Sequence, residues 1–93
     1  MLKKPRILVV GSFMMDLIAS AERAPNAGET VIGKKFTTAP GGKGVNQAVQ
    51  CARLGAHVTM AGRVGDDAFG RIMTDAARAA GVDVSHVSVD PAE

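Results

Sequence analysis

Between Ala39 and Val49 the chain reads APGGKGVNQAV. The adjacent glycines Gly41 and Gly42 let backbone approach a ligand with no Cβ in the way. Behind them, Val45, Ala48, Val49 and Ala52 recur at i, i+3, i+4 and i+7, which predicts a helix over 44–54 that ends at Gly55. Such a helix offers unpaired N–H groups and a partial positive charge at its start. Lys43 and Asn46 are three residues apart, so both can address whatever lies over that start. The chemistry this implies is capture of a hydroxyl-rich or anionic small molecule. Two better-known glycine motifs fail: the P-loop would need Gly and Ser/Thr where Thr37 and Gly44 stand, and the dinucleotide fingerprint would need Gly at Gln47. By spacing alone, a glycine-rich turn leading into a helix accounts for the same residues equally well.

A second candidate lies upstream. Arg6–Val10 is a continuous apolar run of the kind found in strands buried on both faces of a parallel sheet. If 14–18 continues extended, alternation places Met14, Asp16 and Ile18 on one face and Phe13, Met15 and Leu17 on the other. A carboxylate among apolar neighbours at a strand end needs a partner. Ligand hydroxyls would supply one, and so would nearby backbone N–H groups.

The elements that must position these groups follow from punctuation and period. Ala24–Gly28 is a turn cluster. Residues 29–38 mix β-branched and basic side chains, and a loop at Gly33 would make them a short hairpin or two edge strands, with Lys34 and Lys35 discouraging strand addition. A second strand is expected over 57–61, a loop over 63–67, a helix over 68–80 stopped by Gly81, and a third strand over 82–89. The strand–helix–strand spacing gives parallel crossovers and an α/β fold. Asp66 and Asp67 are better read as helix caps than as a metal site. His57 has no ligating residue at metal spacing, and Cys51 falls at an apolar helix position where an inert thiol is expected.

Composition narrows the class. Ninety-three residues with 46% apolar content make one small domain. A net charge of +2 and only three aromatics, all Phe, argue against a nucleic-acid partner. No apolar run approaches the length of a membrane span, and 7–10 is too short for a signal sequence. One cysteine excludes an internal disulfide framework. A cytoplasmic location is consistent with all of this.

Ala39-Pro40-Gly41-Gly42-Lys43-Gly44-Val45-Asn46-Gln47-Ala48, followed by Gly55 and Gly65, resembles the first signature of the ribokinase-like sugar kinases, the phosphofructokinase B family. Three flanking blocks agree with it: Gly11-Ser12 to Asp16, Gly28-Glu29-Thr30, and Val64 to Gly70. The Gly-Gly-Lys-Gly-x-Asn-Gln-Ala form is most similar to the ribokinase branch. The resemblance implies the N-terminal part of an αβα sandwich with a mostly parallel central sheet and a small β-lid over about 14–40. It also implies ATP- and Mg²⁺-dependent phosphorylation of a sugar, ribose to ribose 5-phosphate. By the same resemblance Asp16 and Asn46 bond sugar hydroxyls, and Gly41 and Gly42 bring backbone N–H groups to the sugar. Lys43 would lie beside the sugar and help neutralise the transferring phosphoryl group. The lid would cover the site and join two copies in a homodimer.

Two features qualify that expectation. The family's catalytic aspartate, anion hole and nucleotide pocket belong to a C-terminal part that residues 1–93 do not contain, so the chain alone is expected to be inactive and only partly folded. The ribose branch usually carries Asn two positions before the aspartate, where this chain has Met14. A thioether donates nothing and accepts weakly. This leaves open ribose, another sugar, a nucleoside acceptor, or a non-catalytic sugar-binding or dimerising remnant.

Overall fold

The computed structural model describes residues 4–91. Its elements run β1 (Arg6–Val10), β2 (Met14–Ala21), β3 (Gly33–Gly41), α1 (Lys43–Arg53), β4 (His57–Gly65), α2 (Ala68–Ala79) and β5 (Asp83–Asp90). β1, β4 and β5 form a parallel sheet in that order, while β2 and β3 form a separate antiparallel ribbon. The two crossovers carry α1 and α2 across the same face of the sheet. Val45 and Ala48 of α1 and Ala77 of α2 meet Val9, Val58 and Met60 in one core. Alternation along β1 follows from this: Ile7 and Val9 pack inward, whereas Leu8 and Val10, on the opposite face, are 62% and 76% exposed. The run that reads as buried on both faces is therefore covered on one face only by the described residues.

Both helices stop in the same way. Gly55 N–H donates to the Ala52 carbonyl and Ala56 N–H to Cys51, and Gly81 and Val82 repeat the pattern on Arg78 and Ala77. At the start of α2 the Asp67 carboxylate accepts from Gly70 N–H at 2.7 Å, the capping role expected of the paired aspartates. Asp66 faces Arg71 at 3.8 Å. Cys51 is half-buried against the core.

Several boundaries differ from the sequence reading, most by a single residue. Arg63–Gly65 is not a loop: β4 runs on through these residues because Val64 is buried and Gly62–Gly65 pair with Val87–Asp90 of β5. Gly33 is not a hairpin tip. It opens β3, which pairs along its length with β2, Leu17 opposite Thr38 and Ala19 opposite Phe36. Cross-strand partners twelve or more residues away thus override the local turn signal at Gly33. The helix assigned to 44–54 is shifted by one residue, with Lys43 as its first position.

The ribbon's connection at 22–32 is tied by one carboxylate. Glu29 accepts from the two terminal guanidinium nitrogens of Arg23 at 2.6 and 2.7 Å and from Asn26 N–H at 2.9 Å. Arg23 first, and Asn26 second, hold the Glu29 carboxyl down to about 2. A depressed carboxyl contributes to order above its ordinary value and loses that contribution as pH falls through the folded value. Amide-exchange protection at Asn26 is therefore expected to be full at neutral pH and to decline as pH falls toward about 2. In Glu29→Gln it is expected to be low and flat across that range. An acid midpoint at the ordinary carboxylate value would show that the clamp does not form.

Candidate sugar-binding site

The candidate site is assembled where the ribbon's root meets the start of α1. Gly42, the N-cap of α1, has φ 112°, a conformation that favours glycine, and no side chain caps the helix. The loop between β1 and β2 lies directly against this turn. A Cβ on Gly42 would stand 2.7 Å from the Ser12 carbonyl oxygen and 2.9 Å from Met14 N, and one on Gly44 would stand 2.7 Å from Ser12 N. Val45 N–H donates to the Ser12 carbonyl at 3.3 Å, while Gly11 N–H ties the same loop to Ala61 of β4 at 3.1 Å. The glycines of the motif therefore do two jobs. Gly41, itself buried, leaves room for the Asp16 carboxylate, and Gly42 and Gly44 let the β1–β2 loop pack onto the helix start.

That packing brings the upstream candidate to the motif. Asp16 lies opposite Ala39 in the ribbon, and its Oδ2 would lie 3.2 Å from a Cβ on Gly41. The carboxylate thus reaches over the first glycine of the pair. Among the described residues, the side chains of Asp16, Lys43 and Asn46 make no hydrogen bond or ion pair. Backbone N–H groups, the competing explanation for Asp16, do not engage it. The burial expected of Asp16 is not found either: it is exposed, because nothing described covers that face of the ribbon.

A cavity of about 390 Å³ opens between α1, α2 and the ribbon root, bordered by Phe13, Pro40, Gly41, Asn46 and Arg53. It touches the motif at Gly41 and Asn46 but reaches neither Asp16 nor Lys43. Sequence reasoning gave no sign of Phe13 and Pro40 at this junction, since their role depends on how the ribbon leans against α2. Among the described residues no three His, Cys, Asp or Glu side chains converge on a common point.

The family model for pfkB family carbohydrate kinases matches residues 4–93. The chain belongs to the pfkB family of carbohydrate kinases. It is 54% identical over 76 residues to a ribokinase of Bacillus subtilis, covering 82% of this chain and 26% of that protein. A deoxyribokinase of Salmonella typhi is 48% identical over 63 residues, covering 68% of this chain and 21% of that protein. The structure of Arabidopsis thaliana ribokinase complexed with ribose and ATP superimposes with a TM-score of 0.81 at 37% identity, over 94% of this chain and 28% of that one. The chain thus spans about a quarter of the length of the curated relatives it matches. The α/β class expected from the sequence, with its parallel sheet, is the fold of this family. No helix among the described residues is long and apolar enough to cross a membrane.

Proposed function

We propose that this chain is the N-terminal part of an ATP-dependent pentose kinase that converts ribose to ribose 5-phosphate in the cytoplasm. The observation that carries the reading is the Asp16 carboxylate reaching over Gly41 beside a glycine-built helix start, with no hydrogen-bond or ion-pair partner among the described residues. A carboxylate can accept from two neighbouring hydroxyls, and Asn46 can donate to or accept from a third. Lys43 carries the positive charge suited to a phosphoryl group in transit. ATP is suggested by the relatives, Mg²⁺ by the family resemblance, and both are assigned to residues outside this segment, as are the base and the anion hole. ATP supplies the phosphoryl group; the residues here bind and orient its acceptor. The ribbon serves as a lid, excluding water that would otherwise compete with the sugar hydroxyl. Leu17 and Phe36 share one face of the ribbon and are 58% and 64% exposed, an apolar surface that a second copy would cover in a homodimer.

The test is ribose-dependent ATP consumption by the full-length protein. Turnover with ribose that is absent without sugar is the expected result, and absence of any sugar-dependent turnover overturns the reading. One observation favours a second reading. Met14 places an apolar side chain on the ribbon face next to Asp16, which would also suit a nucleoside acceptor. Faster turnover with adenosine than with ribose would select it. Binding of ribose by the 93-residue chain without turnover by any longer form would instead select a sugar-binding remnant.

A further inference from the structure

We propose that Gly62 and Phe13 position the Asp16 carboxylate from behind the site; the proposal rests on the pentose-kinase reading. Gly62 of β4 leaves a gap that Phe13 fills, and this seat fixes where β2 starts. Along β4, Val58, Met60 and Val64 are buried. Strand alternation puts Gly62 in the same row, where it is the position without a side chain. The Phe13 ring occupies that gap: a Cβ on Gly62 would stand 3.2 and 3.4 Å from two of its carbons. Phe13 is half-buried and reaches the core from the loop between β1 and β2. The same Cβ would stand 2.7 Å from the Gly11 carbonyl oxygen, so main chain as well as ring rests on Gly62. Met14, the first residue of β2, follows Phe13 directly, and Asp16 belongs to the same strand.

Only one side of this seat can give way. Gly62 pairs with Val87 inside the parallel ladder, so β4 cannot retreat without breaking the sheet. The Phe13 ring borders the cavity between α1 and α2 and has room to turn into it. The Gly11 carbonyl has no such freedom. Gly11 N–H is bonded to Ala61 at 3.1 Å, and a Cβ on Gly11 would stand 2.9 Å from the Gly44 Cα on its other side. A methyl group on Gly62 therefore displaces the loop by about 0.5 Å or more before ordinary contact is restored. That displacement passes through Phe13 into β2. Gly62 is not part of the glycine motif, and its effect on the sugar runs through the loop to Asp16.

The experiment measures ribose KM and kcat of the full-length kinase in a double-mutant cycle. Gly62→Ala is expected to raise KM about tenfold, the scale set by misplacing a binding group by a fraction of an ångström, with kcat close to native. Phe13→Ala empties the seat without adding a clash. It is expected to raise KM in the same direction, and it carries the test if Gly62→Ala does not fold. In an Asp16→Ala background either change is expected to raise KM by less than about twofold, because its route to the sugar is already cut. Gly81→Ala is the control. Its φ is 93° and a Cβ there meets nothing within 4 Å, so it loses stability and keeps the native KM. A native KM in both Gly62→Ala and Phe13→Ala overturns the inference and leaves the kinase reading standing. So does a rise of the same size in the Asp16→Ala background, or an equal rise in Gly81→Ala. Absence of sugar-dependent turnover in the native full-length protein overturns the kinase reading and this inference with it.

Discussion

Replacing Asp16 with alanine in the full-length enzyme is expected to lower kcat/KM for the sugar by about 100-fold. Hydrogen bonds to a charged group are worth about 1.5–3 kcal/mol, and each 1.4 kcal/mol is about a factor of ten. The loss should fall mainly on KM, because Asp16 is assigned to holding the acceptor and not to moving its proton. Asp16→Asn keeps the shape and one acceptor oxygen, so its loss should be smaller. Stability supplies the control. Asp16 has no hydrogen-bond or ion-pair partner among the described residues, so either substitution should change unfolding free energy by less than about 0.5 kcal/mol. Unchanged sugar kinetics in Asp16→Ala would remove Asp16 from the site. A large loss of stability would mean instead that its carboxylate serves the fold.

The same residue shows how far local sequence carries. The motif Gly41–Asn46, the capping role of Asp67, the glycine stops at Gly55 and Gly81, and both crossovers were legible because each is a short-range signal with one physical cause. A helix needs a cap and a stop, and an apolar period of 3.6 or 2 names its element. What was not legible depends on partners distant in sequence. Gly33 reads as a turn until the whole of β2 is available to pair with β3. Arg63 to Gly65 reads as a loop until β5 supplies the other side of the ladder. Apolar runs were visible, but which face of them would be covered was not. Leu8 and Ile7 look alike in the sequence, and only the placement of both helices on one face separates them. Asp16 could be linked to the glycine motif only through the resemblance to a family, since no spacing rule joins residue 16 to residue 41. The ribbon makes that link physically: its ladder brings β2 alongside the end of β3.

The larger structural effect is expected from the glycine that makes this junction possible. Gly42→Ala combines two penalties. The residue has φ 112°, where an L side chain is strained, and the new Cβ would stand 2.7 Å from the Ser12 carbonyl oxygen and 2.9 Å from Met14 N. Strain of this kind costs about 1–3 kcal/mol, and overpacking that shifts backbone costs about as much again. Both neighbours are main-chain atoms, so no flexible side-chain end can swing away to relieve the contact. The expected outcome is a loss of about 2–5 kcal/mol in the unfolding free energy of the full-length protein, measured by denaturant titration with an unchanged slope. Sugar binding should fail together with stability, because the β1–β2 loop that carries the chain into Met14 and Asp16 is held by this contact and by the Val45 N–H to Ser12 bond. Gly28→Ala provides the comparison. Gly28 also has positive φ, at 76°, but a Cβ there meets nothing within 4 Å. That variant should therefore lose only the conformational part, about 1–3 kcal/mol, and leave sugar KM close to the native value. Equal losses in the two variants would show that backbone strain alone matters at Gly42. A greater loss of both stability and sugar affinity in Gly42→Ala would identify close packing of the loop on the helix start as the feature that builds the site.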